Sequence, residues 1–168
     1  MRWIWIDKFV EFESGRRAVA VKNVTLAEEH LHDHFPGYPV MPECLMIEAM
    51  AQTAGILVGE ARNFKEKVIL AKIGKAAFFD HVVPGDSIKL EAQIETISPE
   101  AAGISGKITR SGQLIAEIEL MFSHIDQNLA GKKFPEENFV FTGMFTSLLR
   151  DVVLDRRPAD SPPMESGG

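Results

Sequence analysis

An α+β domain, with a curved antiparallel sheet wrapped around one long helix, is the fold class this 168-residue sequence predicts. Two observations carry it. Residues 42–59 form a helix-length run that is apolar almost all round, so that helix must be covered on every side. After it, residues 87–124 alternate apolar and polar side chains between turn signals, the pattern of strands with one buried face. A single sheet curled about the helix, completed by a second subunit, satisfies both demands.

The chain opens on Met1-Arg-Trp-Ile-Trp-Ile6, which is apolar but is cut short by Asp7 and Lys8. That run is shorter than a signal-peptide core or a membrane span, so no membrane span and a cytoplasmic location are expected. Ser14-Gly15 marks a turn, and residues 16–24 read as a strand. Pro36-Gly37 fits the central positions of a type II turn, and Pro39 and Pro42 stiffen the chain that follows.

Pro42 suits a helix start, because its missing N–H has no intrahelical partner to lose. Glu43 then lies in the first turn, where the helix dipole favours negative charge. Beyond the helix, residues 67–73 and 75–80 are read as two strands, and Pro84-Gly85-Asp86 as a turn. Over 87–96, Ile88, Leu90, Ala92 and Ile94 face one way, opposite Lys89, Glu91, Gln93 and Glu95. Residues 104–110 and 113–124 form a hairpin across Ser111-Gly112. The domain so defined covers residues 1–125. Residues 126–155 form a C-terminal extension with a loop over 127–136 and an amphipathic helix within 137–154. Residues 156–168, rich in Pro, Ser, Gly and charge, are expected to be a disordered tail.

The bulk composition is that of an ordinary globular protein, 45% hydrophobic and 25% charged. A net charge of −6 argues against a nucleic-acid binder, which needs a basic face. A local cluster of Arg62, Lys65, Lys67, Lys72 and Lys75 is still available to an acidic partner, or is simply solvated surface. Cys44 is the one cysteine, so no intrachain disulfide forms.

The chemistry concentrates between His34 and Gln52. Glu48 sits in the apolar helix, where a carboxylate must be paired, hydrogen-bonded or protonated. Gln52, one turn on, is placed to donate an amide hydrogen to it. A side chain reaching solvent, or a plain core hydrogen bond, also accounts for an acid there. His34 stands on the stiff Pro/Gly loop, the last of an alternating set with His30 and His32. Such a set can also bind metal, but no Cys, Asp or Glu ligands stand at a matching spacing. Free N–H groups at residues 43–45 would polarise a carbonyl oxygen, each donor worth about 3 kcal/mol in a transition state. An imidazole, an acid and a carbonyl-binding helix end together suit proton removal α to a thioester, with proton delivery to a β-hydroxyl.

The motifs His34-Phe-Pro-Gly-Tyr-Pro-Val-Met-Pro42 and Glu48-Ala-Met-Ala-Gln52 resemble the signature of the β-hydroxyacyl-acyl carrier protein dehydratases of fatty-acid synthesis. The likeness continues through Lys75-Ala-Ala-Phe-Phe-Asp-His-Val-Val-Pro-Gly-Asp86 and Gly112-Gln-Leu-Ile-Ala-Glu-Ile-Glu-Leu-Met-Phe122, covering residues 4–125. The resemblance implies a hot-dog fold and dehydration of (3R)-3-hydroxyacyl thioesters held on acyl carrier protein by phosphopantetheine. It implies His34 as catalytic base and Glu48 as catalytic acid, meeting across a homodimer with shared sites, or within a hexamer that is a trimer of such dimers. It also implies substrate contacts from Phe35, Pro36, Gly37, Glu43, Cys44 and Gln52, an apolar acyl tunnel, and no metal or bound cofactor.

Two positions depart from the family pattern: Glu43 and Asp33 each stand where the family commonly has glycine. Glu43 keeps the N–H but sets a negative charge beside the carbonyl site. A catalytically weak or inactive hot-dog protein that binds acyl carriers or assembles with an active paralogue is therefore the alternative. A hot-dog thioesterase is the third reading.

Overall fold

The computed structural model describes residues 3–125, 128–129, 132–133, 140, 143 and 147–149. Its elements run β1 (Lys8–Glu13), β2 (Arg17–Asn23), α1 (His30–Asp33), α2 (Glu43–Ala61), β3 (Lys67–Phe78), β4 (Ser87–Ile97), β5 (Ala101–Arg110) and β6 (Gln113–Ile125). The six strands make one antiparallel sheet in the order β1-β2-β4-β5-β6-β3. The α2 helix packs on its inner face, as the predicted class requires.

Alternation along the strands holds. Ile88, Leu90 and Ala92 of β4 are buried, while Lys89 and Gln93 face out. Residues 49–59 of α2 are buried without a break, which is why the helix shows no polar side. By length and composition α2 could span a bilayer, but most of it is enclosed by the protein. Helix and sheet approach closely at Gly106 of β5, where an added Cβ would lie 2.7 Å from the Met50 sulfur.

Several elements differ from the sequence-based expectation. β1 was not anticipated: its two buried aromatics, Phe9 and Phe12, are three apart, which breaks a period of two. A register shift between Phe9 and Glu11 reconciles them, because the extra residue lets both rings turn inward. The two strands expected over 67–73 and 75–80 are the single β3, interrupted by register shifts at Leu70/Lys72 and Ile73/Lys75. Those irregularities gave the sequence its broken pattern. Residues 30–33 form one helical turn, and α2 begins at Glu43, with Pro42 as its N-cap.

Within the expected 127–136 loop, Asn128–Leu129 and Lys132–Lys133 pair as β7 and β8. Of the helix expected within 137–154, Gly143 and Ser147 have helical backbone, and Leu149 is buried in the core cluster. The remainder of that helix and the tail over 156–168 lie outside the described residues. The basic cluster is partly consumed. Lys67 is buried, Lys75 pairs with Glu117 at 2.7 Å, and Arg62 donates to the Ser98 carbonyl at 2.9 Å.

Candidate active site

The histidine loop is held by its own backbone. Tyr38 N–H donates to the Phe35 carbonyl at 2.9 Å, closing the turn, with Gly37 at φ +78° as a type II turn requires. Val40 N–H returns to the His34 carbonyl at 2.8 Å. The His34–Phe35 peptide is cis, and the two rings stack with centroids 4.2 Å apart. His34 Nδ1 lies 2.7 Å from the Val40 carbonyl oxygen. A carbonyl only accepts, so Nδ1 carries the proton and the Nε2 lone pair is left to act as a base.

The three neighbouring histidines do not converge. His32 Nε2 bonds the Leu26 carbonyl at 3.0 Å, and the His30 ring packs edge-on to Trp5 at 5.2 Å. Burial pushes the His30 imidazole below its ordinary pKa, an effect only partly countered by Glu28.

The start of α2 forms the wall opposite His34. Of the three N–H groups expected to be free, Leu45 is taken: it donates to the Pro42 carbonyl at 2.9 Å as the first turn tightens. Among the described residues, Glu43 and Cys44 have no such backbone partner for their N–H groups. Their side chains are exposed, and they line one cleft of about 420 Å³ with His34, Phe35, Tyr38 and His81. His81 was not anticipated, because it lies 47 residues along the chain from His34 and no local signal singles it out.

A loop between β3 and β4 supports this wall. The Val82 carbonyl accepts Met41 N–H at 2.8 Å. Arg110, at the end of β5, donates to the His81 carbonyl at 2.7 Å and to Asp86 at 3.0 Å, and also pairs with Asp80. The His81 N–H and Arg110 hold the Asp80 carboxyl below its ordinary pKa.

Glu48 is half-buried on α2 and accepts from Gln52 Nε2 at 2.8 Å, as the i, i+4 spacing predicts. Gln52 is itself buried, bonded to the Trp5 N–H at 2.8 Å and the Trp3 carbonyl at 2.6 Å. The acid opens into a second, largely apolar cavity of about 220 Å³, lined by Gly55, Val68, Leu70, Phe122 and Val140. Phe35, Glu43 and Cys44 therefore stand with His34, whereas Gln52 stands with Glu48. Within one chain the His34 imidazole and the Glu48 carboxylate line different cavities.

An antiparallel sheet wrapped on a central helix defines a protein of the hot-dog class. The family description "FabA-like domain" matches residues 3–119, and the chain belongs to that family. It is 40% identical over 125 residues to the 3-hydroxyacyl-[acyl-carrier-protein] dehydratase FabZ of Listeria monocytogenes, covering 74% of this chain and 87% of that one. Likeness to the FabZ dehydratase of Thermomicrobium roseum is 38% over 129 residues, 76% of this chain and 87% of the relative.

Among solved structures, the dehydratase heterocomplex ApeI:P of Xenorhabdus doucetiae shares the fold. It has a TM-score of 0.60 at 14% identity, over 73% of this chain and 84% of that one. The smu.793 protein of Streptococcus mutans, bound to acetyl CoA, is similar with a TM-score of 0.57 at 14% identity, over 76% and 90%.

Proposed function

We propose that this chain removes water from (3R)-3-hydroxyacyl thioesters on acyl carrier protein, giving trans-2-enoyl thioesters for fatty-acid or related lipid synthesis. The observation that carries the mechanism is the Nδ1–H bond from His34 to the Val40 carbonyl, which leaves Nε2 basic inside a cleft. The 40% identity to a FabZ dehydratase supports the substrate class.

In the proposed reaction the thioester oxygen lies on the Glu43 and Cys44 N–H groups, where the helix dipole stabilises developing negative charge. His34 Nε2 takes the α-proton, the Cα–H electrons form the Cα=Cβ bond, and the Cβ–O bond breaks. Glu48 gives its proton to the departing hydroxyl, so water leaves. Each turnover leaves His34 protonated and Glu48 ionised, and a proton must return before the next. No metal or bound cofactor enters these steps.

The separate cavities of His34 and Glu48 favour a homodimer in which each site takes its base from one protomer and its acid from the other. Strand β3 is suited to that contact. Among the described residues it pairs with β6 on one side only, and residues 70–76 are exposed in succession, Leu70 and Ile73 among them. Exposed Lys65 and Lys72 remain for an acidic carrier, and a cytoplasmic location goes with this reading.

Incubation with 3-hydroxyacyl carriers of several chain lengths tests the assignment. Enoyl thioester should form reversibly, and His34→Ala should abolish it while the oligomer stays folded. Release of free acid would instead identify a thioesterase, and full turnover by the alanine variant would reject the mechanism.

A further inference from the structure

The loop over residues 79–86 is pinned by backbone bonds at its ends: Phe79 N–H to the Ile115 carbonyl at 2.8 Å, and Val24 N–H to the Asp86 carbonyl at 2.9 Å. Its middle has no ladder partner, yet it carries the Val82 carbonyl that receives Met41 N–H. The Arg110 fork grips acceptors at both ends of this middle stretch: Asp80, the His81 carbonyl and Asp86. A planar guanidinium can satisfy several acceptors at once in a fixed geometry, which a lysine ammonium cannot reproduce. Asp86 extends the grip by accepting Val83 N–H at 3.0 Å.

The chain of contacts then reaches the reacting group. Met41 is bonded to Val82, and the adjoining Val40 carbonyl is the acceptor for His34 Nδ1–H. We propose that Arg110 is a positioning residue for His34: by holding the 80–86 loop it places the strand of backbone whose Val40 carbonyl selects the Nδ1–H tautomer. The proposal rests on His34 being the base. It gives a physical role to an arginine outside the cleft, and to the two acids, Asp80 and Asp86, that would otherwise repel one another within one loop.

The test is Arg110→Met, with Arg110→Lys as the conservative comparison, each read by turnover and by nitrogen NMR of the His34 ring. In the wild type, neutral His34 should show Nδ1–H. The methionine variant should populate the Nε2–H form and lose about tenfold to a hundredfold in kcat, with KM little changed, as expected when a catalytic group is misplaced. The lysine variant should fall between the two in both readouts.

A methionine variant with wild-type tautomer overturns the proposal, whatever its activity, because the loss would then be structural. Should that variant not fold, Arg110→Lys decides alone: wild-type tautomer and kcat there also overturn it. Failure of the base assignment is distinguishable, since turnover surviving in His34→Ala removes it without reference to Arg110.

Discussion

The Trp5 N–H donates to Gln52 Oε1 across 2.8 Å, and that single bond decides which way the buried carboxamide faces. An N–H can donate only to the oxygen, so the Gln52 NH₂ must point toward the Trp3 carbonyl and Glu48. The N-terminal segment thereby orients the donor that holds the proposed acid.

Gln52→Glu keeps an oxygen for Trp5 but removes both donated bonds and sets a second carboxylate beside Glu48. Two acceptors lose their partner in a partly buried place, so unfolding free energy should drop by about 1 kcal/mol. Turnover should fall at least about tenfold, the loss that follows when one hydrogen-bonded support is withdrawn. Urea titration and kinetics on the same preparation check both. Unchanged values would detach Gln52 from the support of Glu48.

Gly106→Ala should destabilise by about 1–3 kcal/mol, the usual range for overpacking. Its new Cβ would meet the Met50 sulfur at 2.7 Å and Cγ at 2.9 Å, and Met50 is fully buried with little room to retreat. In a Met50→Ala background the same glycine substitution should cost less than it does in the wild type, because the two sites couple through one contact. Strict additivity of the two substitutions, measured by denaturant melts, would show that the helix and sheet accommodate the methyl elsewhere.

Gly37→Ala meets no neighbour within 4 Å, so its effect isolates backbone strain at φ +78°. The left-handed region costs an alanine roughly 1 kcal/mol. Stability should fall by about that amount, with kcat reduced further because the turn carries His34. Asparagine at the same position should be milder, since it tolerates that conformation. Equal effects from alanine and asparagine would mean that side-chain contacts, not φ, govern the turn.

His30 supplies a pH dependence whose sign follows from its depressed folded-state pKa. The unfolded chain then takes up the proton first, so stability from this group is complete above about pH 6.5. It is lost as pH falls from there through the lower folded value. His30→Gln should flatten the stability profile in that window relative to wild type, while the carboxylate-driven decline at lower pH persists in both. Parallel profiles for the two proteins down to pH 5 would exclude His30 as the source.

What the sequence disclosed depended on how local the cause was. The type II turn at Pro36-Gly37, the apolar α2 and the Glu48–Gln52 pair each follow from residues a few positions apart. β1 escaped because its bulge spaces Phe9 and Phe12 as a helix would. β3 was split in two for the same reason. Sequence alone leaves the Leu45 N–H free, because only the folded first turn brings the Pro42 carbonyl to it. Arg110 stands 24 residues from Asp86 and 30 from Asp80, so their clamp exists only once the sheet brings β5 beside the loop.

The side of β3 that no described strand pairs sets a problem of identity. Backbone N–H and C=O groups are the same in every protein, so an unpaired edge greets a copy of itself and a related chain on equal terms. Recognition of self at such a seam rests on the few side chains that stand along it. A drift at Leu70, Lys72 or Ile73 would then be enough to redirect pairing toward a diverged sister chain. Duplicated genes for this fold would have a short route from one symmetric enzyme to a mixed assembly with unlike halves.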